Sequence, residues 1–551
     1  MRRMIFQLVL PVLGLACASC EVLPDTCEWN GCSQLYDGAT APVDARDGSR
    51  DAPKDGNDVG DDIIGDAGAE RGDTQLDGGT DVVPCDATKK PSEASCVIED
   101  RFGVFVSPSG SDGASGARAA PFKTISYALA HASGKNVYVC AGTYTEPITL
   151  GAAVDGAGMF GGFDCGSWAY STSSRPKVAP ASGIALTIQN LSMGATIEDF
   201  EFDAPDGTMP GNSSIAAVIS SSMNVAFRRV KVVAGKGKEG SPGANGGGTG
   251  NMPAMKGADG NKGAAACTAN PNLGGTTAIT MCDGQAVSTG GKGGDGAIST
   301  AAQGDNGNDG TPPLTAGLGK GGQGEPLSGA WTCGANGTGQ GGDDGMLGGT
   351  GDGATGLGSL TSNGWTGNRG DDGHDGKPGQ GGGGGGGTKA PASCALPIPT
   401  GASAGSGGGG GCGGKAGGGG GPGGSSIAVV SVGSIVTFDA CDLITNAGGK
   451  GGDGGQGQRG GDGGLPGGGG TGIGTSKNAC SGGQGGQGGS GGPGGAGLGG
   501  HSIGVAYTGT APTRLWGTVM TGIAGLGGAA GPGGTATGKG DDGITSPERK
   551  F

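Results

Sequence analysis

Two stretches decide the fold: GVFVSPSGSDG at residues 103–113 and NVYVCAGTY at residues 136–144. Each begins with β-branched and aromatic residues and runs into glycine or proline, a pattern that predicts a short strand followed by a turn. Between them, PFKTI at 121–125 leads into a brief helix predicted over 126–132. ITL at 148–150 predicts a further short strand. The folded part of the chain therefore starts with short strands, glycine turns and one small helix.

An apolar spacing, Φ-x-x-Φ-x-Φ, recurs downstream of these strands. It begins at Ile197, Phe227 and Phe438, and Trp516-x-x-Val519 repeats its first half. A serine-led apolar strand precedes the last three copies, at 213–218, 425–430 and 502–507. In a solenoid, alternation after a two-residue corner lets inward side chains stack on the coil below. The repeat therefore predicts parallel coils of one solenoid.

Residues 104–150 resemble the opening of a known fold family. Their pattern, V-S-x-x-G-x-D…P-F-x-T-I…A…V-x-V-x-x-G-x-Y, is similar to that of bacterial surface proteins in the pectin-lyase-like superfamily. The resemblance implies an all-β fold, a right-handed parallel β-helix (solenoid). It implies little about activity.

Glycine accounts for 140 of the 551 residues, and residues 235–551 hold 113 of them. The glycine-rich stretches 235–424, 448–500 and 522–543 each follow a Φ-x-x-Φ-x-Φ strand. Glycine then falls on every third residue over 448–463 and 482–497, which matches the three-residue turn of a polyproline-II helix. We expect either packed polyglycine-II-like segments or disorder, because glycine has the largest entropy to lose on ordering. This part resembles the PGRS-type repeats of bacterial surface proteins. With 29 prolines, the chain is too proline-poor for collagen.

The first 16 residues predict an export signal. Arg2 and Arg3 precede an apolar stretch at 5–16, which is shorter than the roughly 20 residues that span a bilayer. LGLAC at 13–17 resembles a bacterial lipobox, which implies lipid attachment at Cys17; Cys20 is the weaker candidate. An ordinary signal peptide is the alternative. No acidic residue directly follows Cys17, so the resemblance implies an outer-membrane, surface location, with a secreted form as the alternative.

The residues after the signal predict a disordered tether. Segment 37–81 holds 13 acidic and 4 basic residues, out of a chain whose net charge is −15. Such a segment repels itself and stays extended. The acidic balance also disfavours nucleic acid as a partner.

An exported chain permits disulfides. Removing a lipidated Cys17 from the 15 cysteines leaves an even number, 15 − 1 = 14, compatible with complete pairing. Cys140 and Cys165 lie 165 − 140 = 25 residues apart, which is close to one coil, so their sulfurs are predicted to form a disulfide between neighbouring coils. The alternative is that both thiols are free apolar fillers.

The sequence offers little catalytic material. It has three histidines and no Cys/His cluster with zinc-finger spacing, so we expect no metal site, no cofactor and no catalytic residues. Arg229-Val230-Lys231 resembles the basic motif of polygalacturonases, but their Asn-Thr-Asp and Gly-His-Gly motifs are absent. We therefore expect Arg229 and Lys231 to face solvent. The adhesion tripeptide Arg369-Gly370-Asp371 is expected by chance in a chain so rich in glycine and aspartate.

These observations predict a non-enzymatic surface lipoprotein, a structural or adhesive scaffold that contacts the membrane through its lipid and surface polysaccharide or matrix proteins through its glycine loops. The alternative is a degenerate β-helix that binds or cleaves polysaccharide. Because coils are expected to stack on one another and not on the insertions, deleting 240–420 should leave the coils folded. The predicted order is a signal peptide (1–16), a tether (17–101), a cap with the first coils (102–234), a glycine-rich insertion (235–424), a coil (425–447), a second insertion (448–500) and a last coil with a glycine-rich tail (501–551).

Overall fold

A computed structural model describes residues 85–248, 250, 252–314, 318–394 and 398–551. The predicted signal peptide, Cys17, Cys20 and the acidic segment 37–81 lie outside the described residues. Within the described part, no helix is both long and apolar enough to cross a bilayer.

Most regular structure is strand. Among the described residues the one α-helix is α1 (Ile125–His131), and single helical turns lie at Ser95–Val97, Ala152–Val154, Cys333–Gly337 and Ala536–Gly538. The strands are β1 (Gly103–Val106), β2 (Asn136–Cys140), β3 (Thr143–Tyr144), β4 (Ile148–Leu150), β5 (Gly158–Phe163), β6 (Lys177–Val178), β7 (Leu186–Gln189), β8 (Ala195–Glu198), β9 (Glu201–Asp203), β10 (Ser214–Ser220), β11 (Val225–Arg228), β12 (Lys231–Val233), β13 (Ile279–Thr280), β14 (Ser288–Thr289), β15 (Ser359–Thr361), β16 (Gly364–Thr366), β17 (Ser426–Val432), β18 (Val436–Asp439), β19 (Cys441–Ile444), β20 (Ser502–Thr508), β21 (Thr513–Arg514), β22 (Gly517–Met520) and β23 (Thr545–Lys550).

Three parallel sheets contain nearly all of these strands. Sheet A has the order β1-β2-β5-β8-β11-β18-β21, sheet B the order β4-β7-β10-β17-β20-β23, and sheet C the order β3-β6-β9-β12-β19-β22. From β2 onward the chain visits A, C and B in turn, so each three-strand unit lies beside the one before it. The glycine-rich stretches all leave between a sheet C strand and the next sheet B strand. The all-β, parallel character predicted from the sequence is confirmed at this level.

The recurring apolar spacing aligns in register across these units. Phe227 pairs with Ile197 on one side and with Phe438 on the other. The corner residue of each unit, Asp199, Arg229 or Ala440, takes a positive φ of 59°, 51° or 53°, which turns the chain from sheet A into sheet C. Equivalent apolar positions therefore stack at the strand spacing of about 4.8 Å.

The main core lies between the three sheets. The rings of Phe227 and Phe438 stack with centroids 5.3 Å apart, and both side chains are buried. Burying one such side chain contributes about 1.5–3 kcal/mol. Helix α1 closes the N-terminal end of this core with Ile125, Ala128 and Leu129.

The folded part begins earlier than the expected residue 102. Cys85 is disulfide-bonded to Cys96, and Val97 and Ile98 are buried. The Tyr138 hydroxyl donates a hydrogen bond of 2.7 Å to the carbonyl of Val97. Residues 85–101, expected to belong to the tether, instead cover the outer face of sheet A.

The first glycine-rich insertion also packs on the sheets. Its hairpin β15–β16 places Trp365 against Ile215, Ile427 and Ile503 on the outer face of sheet B. The expectation that strand units stack only on one another is therefore wrong. Deleting 240–420 would remove Trp365 and expose three buried isoleucines, so that deletion is no longer expected to be harmless.

Candidate functional site: the glycine lattice

The glycine-rich segments pack against one another through their backbones, and we call the packed residues of 235–425, 446–501 and 521–543 the glycine lattice. One segment shows the rule: along 485–500 every third residue donates its N–H to an antiparallel neighbour. Gly485, Gly488, Gly491, Gly494, Gly497 and Gly500 donate to the carbonyls of Gly464, Gly461, Gln458, Gly455, Gly452 and Gly449, at 2.8–2.9 Å.

The same segment is bonded to further neighbours. Gly483, Gly486, Gly489, Gly492 and Gly495 donate to carbonyls of residues 371–383 at 2.8–2.9 Å. Its carbonyls in turn accept from residues 408–423 and 342–354. Each segment thus bonds sideways in several directions, which a flat sheet cannot do. The described glycine segments are ordered by backbone hydrogen bonds, and of the two expectations this favours packed segments over disorder.

Glycine is required because these backbones approach so closely. A Cβ at Gly382 would overlap the carbonyl oxygen of Gly483, and one at Gly407 would overlap that of Gly382. Gly382 is buried, donates to the Gly408 carbonyl and accepts from Gly291 N–H, both at 2.8 Å. Close packing and extensive backbone hydrogen bonding offset the large entropy cost of ordering glycine.

A second sequence rule governs the lattice surface: a basic residue followed three positions later by aspartate. Six such ion pairs have N···O distances of 2.7–3.3 Å. They are Lys256–Asp259, Lys292–Asp295, Arg369–Asp372, Lys450–Asp453, Arg459–Asp462 and Lys539–Asp542. With three residues per turn, positions i and i+3 lie on one row.

Several of these aspartates also join segments. Asp453 accepts from Lys450 at 2.7 Å and from the Ala529 N–H of the next segment at 2.8 Å. These two hydrogen bonds hold the pKa of Asp453 below its ordinary range. The Lys/Arg-x-x-Asp spacing is visible in the sequence, but its role was missed there. Arg369 of the adhesion tripeptide belongs to this set, because it pairs with Asp372.

A groove crosses the lattice surface. It encloses about 620 Å³ and is lined by Lys256, Asp344, Asp462, Gln484 and Gln487, with glycine backbone between them. Asp344 accepts the Gln487 N–H at 2.8 Å. Gln484 is exposed, so its amide is available to a ligand. The groove offers amide, carboxylate and ammonium groups in fixed rows.

A buried charge cluster lies on the outer face of sheet A. Arg229 donates to Asp199 at 2.8 Å and to Glu198 at 2.9 Å, and Tyr170 donates to Asp199 at 2.6 Å. Lys90, from the covering segment, pairs with Glu198 at 3.0 Å. The side chains of Glu198 and Asp199 are each only 1% exposed.

One prediction about the residues of this region needs correction. Arg229 was expected to face solvent, but it is 20% exposed and pairs with both buried carboxylates. Lys231 lies on the outer side of its strand as expected, with its side chain 35% exposed, and pairs there with Glu201 at 3.2 Å. Burial opposes ionisation of Glu198, yet the Lys90 hydrogen bond and the charges of Arg228 and Arg229 outweigh it and lower its pKa. A carboxylate enclosed in this way is held ionised and is covered from solvent.

Ten of the described cysteines form five disulfides. The structure joins Cys140 to Cys165, the pair that the coil spacing predicts, with Cα atoms 5.0 Å apart. Three more bridges tie lattice segments together: Cys267–Cys394, Cys282–Cys412 and Cys333–Cys480. Cys441 is free and buried in the core, so the expectation of complete pairing is wrong. Its inward position on β19 uses the thiol as an apolar filler.

His501 lies at the junction of lattice and sheets. Its Nδ1 accepts the Ile544 N–H at 3.0 Å, and its Nε2 donates to the Leu357 carbonyl at 2.9 Å. Burial lowers the pKa of this imidazole. Among the described residues, no group of three His, Cys, Asp or Glu side chains is placed to hold a metal ion.

Comparisons with known proteins found no similar protein. The chain matches no protein-family model, no curated protein and no solved structure. The interpretation of this site therefore rests on the geometry of its own residues.

Proposed function

We propose that the chain is an exported, lipid-anchored surface protein whose strand units form a right-handed parallel β-helix and whose insertions form a polyglycine-II-type lattice. Its function is structural or adhesive: the lattice presents fixed rows of polar side chains to surface polysaccharide or matrix proteins. The carrying observation is the period-three hydrogen bonding of the lattice, because it holds the side chains of the groove in register. Gln484 and Gln487 lie three residues apart on one row, beside Asp344 and Asp462.

Polysaccharide suits such a groove, because hydroxyl groups both donate and accept hydrogen bonds to amides and carboxylates. The expected contacts are many and individually weak, as in a surface that gains strength from repetition. The alternative, cleavage of polysaccharide, would need an accessible acid and base. Glu198 and Asp199, two neighbouring carboxylates of one strand unit, are enclosed by arginine, lysine and tyrosine.

The binding part is tested with polysaccharide isolated from the envelope of the producing bacterium. We expect the full chain to sediment with this material and the double variant Gln484→Ala/Gln487→Ala to bind at least threefold more weakly. The matched control is Gln303→Ala, which removes an exposed glutamine outside the groove. Equal binding by both variants would contradict the proposed groove. Release of new reducing ends during incubation would instead favour the cleaving alternative.

The anchoring part is tested separately in the exporting bacterium. Cys17→Ala should move the protein from membrane pellets into the soluble fraction, because two or more acyl chains are needed for stable anchoring, at about 0.8 kcal/mol per buried CH₂. Cys20→Ala serves as the control and should leave the protein in the pellet. Unchanged partitioning of Cys17→Ala would refute lipid attachment at this residue.

A further inference from the structure

The two ends of the stacked strand units differ. Helix α1 covers the N-terminal end and buries Ile125, Ala128 and Leu129 against the core. At the other end, β21, β22 and β23 are the outermost strands of their sheets. Residues Gly517–Met520 of β22 are largely exposed, and no further element covers them in the part of the chain that the structure describes.

Large apolar side chains project from this uncovered end, and we call them the end patch. They are Leu515, Trp516, Met520, Ile523 and Leu526, with exposed fractions of 56%, 77%, 54%, 75% and 63%. Met520, Ile523 and Leu526 follow one another at intervals of three residues, so the lattice geometry places them on one row. Met520 pairs with Ile444 of the layer before, and the same interval leads there to Ala447 and Lys450. The row is therefore apolar at all three positions in the last layer, whereas in the layer before it ends at the charged Lys450.

The end patch contains both a projecting ring and a hollow. A cavity of about 220 Å³ opens beside Trp516 and is lined by Phe438, Cys441, Leu515 and Val519, among others. Phe438 and Cys441 belong to the main core, so the cavity leads to the uncovered end of that core. A surface that carries both a projection and a hollow can pair with itself across a twofold axis.

The outermost strands at this end differ in whether their free edges can pair with a strand of another molecule. β23 carries Pro547, Glu548, Arg549 and Lys550, residues that block edge-to-edge pairing. β22 has the sequence Gly-Thr-Val-Met and none of these protections. Its free edge can form hydrogen bonds with an antiparallel strand. A twofold axis beside β22 would bring the β22 strand of a second copy into that position.

The charges around the patch are balanced. Arg514 pairs with Glu548 at 3.4 Å, and Lys539 pairs with Asp542 at 3.3 Å. A balanced rim does not select a strongly charged partner such as nucleic acid or an anionic membrane. In a dimer with a twofold axis, the positive residues of one copy's rim can lie opposite the negative residues of the other copy's rim.

We propose that the end patch is a docking surface for a second copy of this chain, joined tail to tail about a twofold axis. The end patch and the unprotected edge of β22 lie within one stretch, 515–526, so a single contact can use the exposed apolar side chains and the free strand edge together. Because α1 closes the opposite end, the contact cannot repeat head to tail, and assembly stops at the dimer.

Sedimentation of the full chain over a range of concentrations tests the dimer. All proteins carry Cys17→Ala, so that an N-terminal lipid cannot drive association. We expect a monomer–dimer equilibrium whose dissociation constant rises at least tenfold in Trp516→Asp and in Leu526→Asp. The control Leu327→Asp changes a leucine that is 54% exposed outside the patch and should leave the equilibrium unchanged. A monomer at all concentrations, or a dimer that both patch variants leave intact, would overturn the proposal.

Cross-linking tests the orientation, and vesicles test a different occupant. A bifunctional thiol reagent should join two copies of Ile523→Cys and should not join two copies of Leu327→Cys beyond the level of the parent chain. Equal yields from the two variants would refute the tail-to-tail arrangement. Binding of a monomer to phosphatidylcholine vesicles that Leu526→Asp abolishes would assign the patch to a lipid surface and overturn the dimer.

Discussion

Adding one methyl group to the middle of the glycine lattice should destabilise the protein sharply, and Gly382→Ala is the change to make. A Cβ at this position would overlap the carbonyl oxygen of Gly483. The residue also takes part in two backbone hydrogen bonds of 2.8 Å, one to the Gly408 carbonyl and one from the Gly291 N–H. The segments would have to separate to admit the methyl group.

The magnitude follows from three contributions. Overpacking a close-packed interior costs about 1–3 kcal/mol, and each weakened hydrogen bond costs about 0.5–1.5 kcal/mol. Reduced entropy of the unfolded chain returns about 0.4–1 kcal/mol. With two weakened hydrogen bonds, these contributions leave a fall in the free energy of unfolding of about 1–6 kcal/mol, centred on about 3 kcal/mol.

Gly468→Ala is the matched control within the same lattice. Gly468 is exposed, and a Cβ there would meet no atom within 4 Å. Because its backbone is open to the substitution, we expect a gain of about 0.4–1 kcal/mol from the unfolded state alone. Both variants are compared with the parent by guanidinium unfolding followed by circular dichroism, with the midpoint as the readout. If Gly382→Ala unfolds at the same midpoint as Gly468→Ala, close backbone packing does not hold the lattice together.

Two further predictions concern groups at the borders of the lattice and the sheets. Protonation of His501 would place a hydrogen on Nδ1 against the Ile544 N–H, and the charge of Arg549 also opposes it. Because the pKa of folded His501 lies below its ordinary value of 6.5, its stabilising effect is complete above that pH and is lost as the pH falls toward the folded pKa. Urea unfolding should show that the free energy of unfolding of the parent falls between pH 7.5 and pH 5. The control His374→Gln, at an exposed site, should show the same fall, and His501→Gln a smaller one. Equal falls in all three proteins would contradict the prediction. Glu198→Gln should lower the free energy of unfolding by about 3 kcal/mol. This is the low end of the range for breaking a buried ion pair, because the cations that pair with Glu198 are partly exposed. The control Glu99→Gln alters a carboxylate that is 50% exposed and should stay within about 0.5 kcal/mol, so similar unfolding midpoints for the two variants would refute a stabilising role for the cluster.

Local patterns in the sequence were sufficient for the strand-rich framework. The Φ-x-x-Φ-x-Φ copies at Ile197, Phe227 and Phe438 stand in register in the structure, because alternation within a strand determines which side chains face the core. Glycine at every third residue was likewise sufficient to suggest three-fold segments that bond sideways. The Cys140–Cys165 pair also follows from local spacing, since one unit separates the two cysteines.

Contacts between distant segments could be decided only by the tertiary structure. Side chains do not specify which glycine segments pack together, because glycine has no side chain and its backbone offers the same donors and acceptors to every neighbour. Trp365 reaches the outer face of sheet B only because the first insertion folds back on the strands, and Arg229 becomes enclosed only because residues 85–101 cover Glu198. The sequence by itself determined the repeating units and their period. The tertiary structure decided which segments meet, which charges are buried and which end stays open, because those outcomes depend on atoms brought together from far apart in the chain.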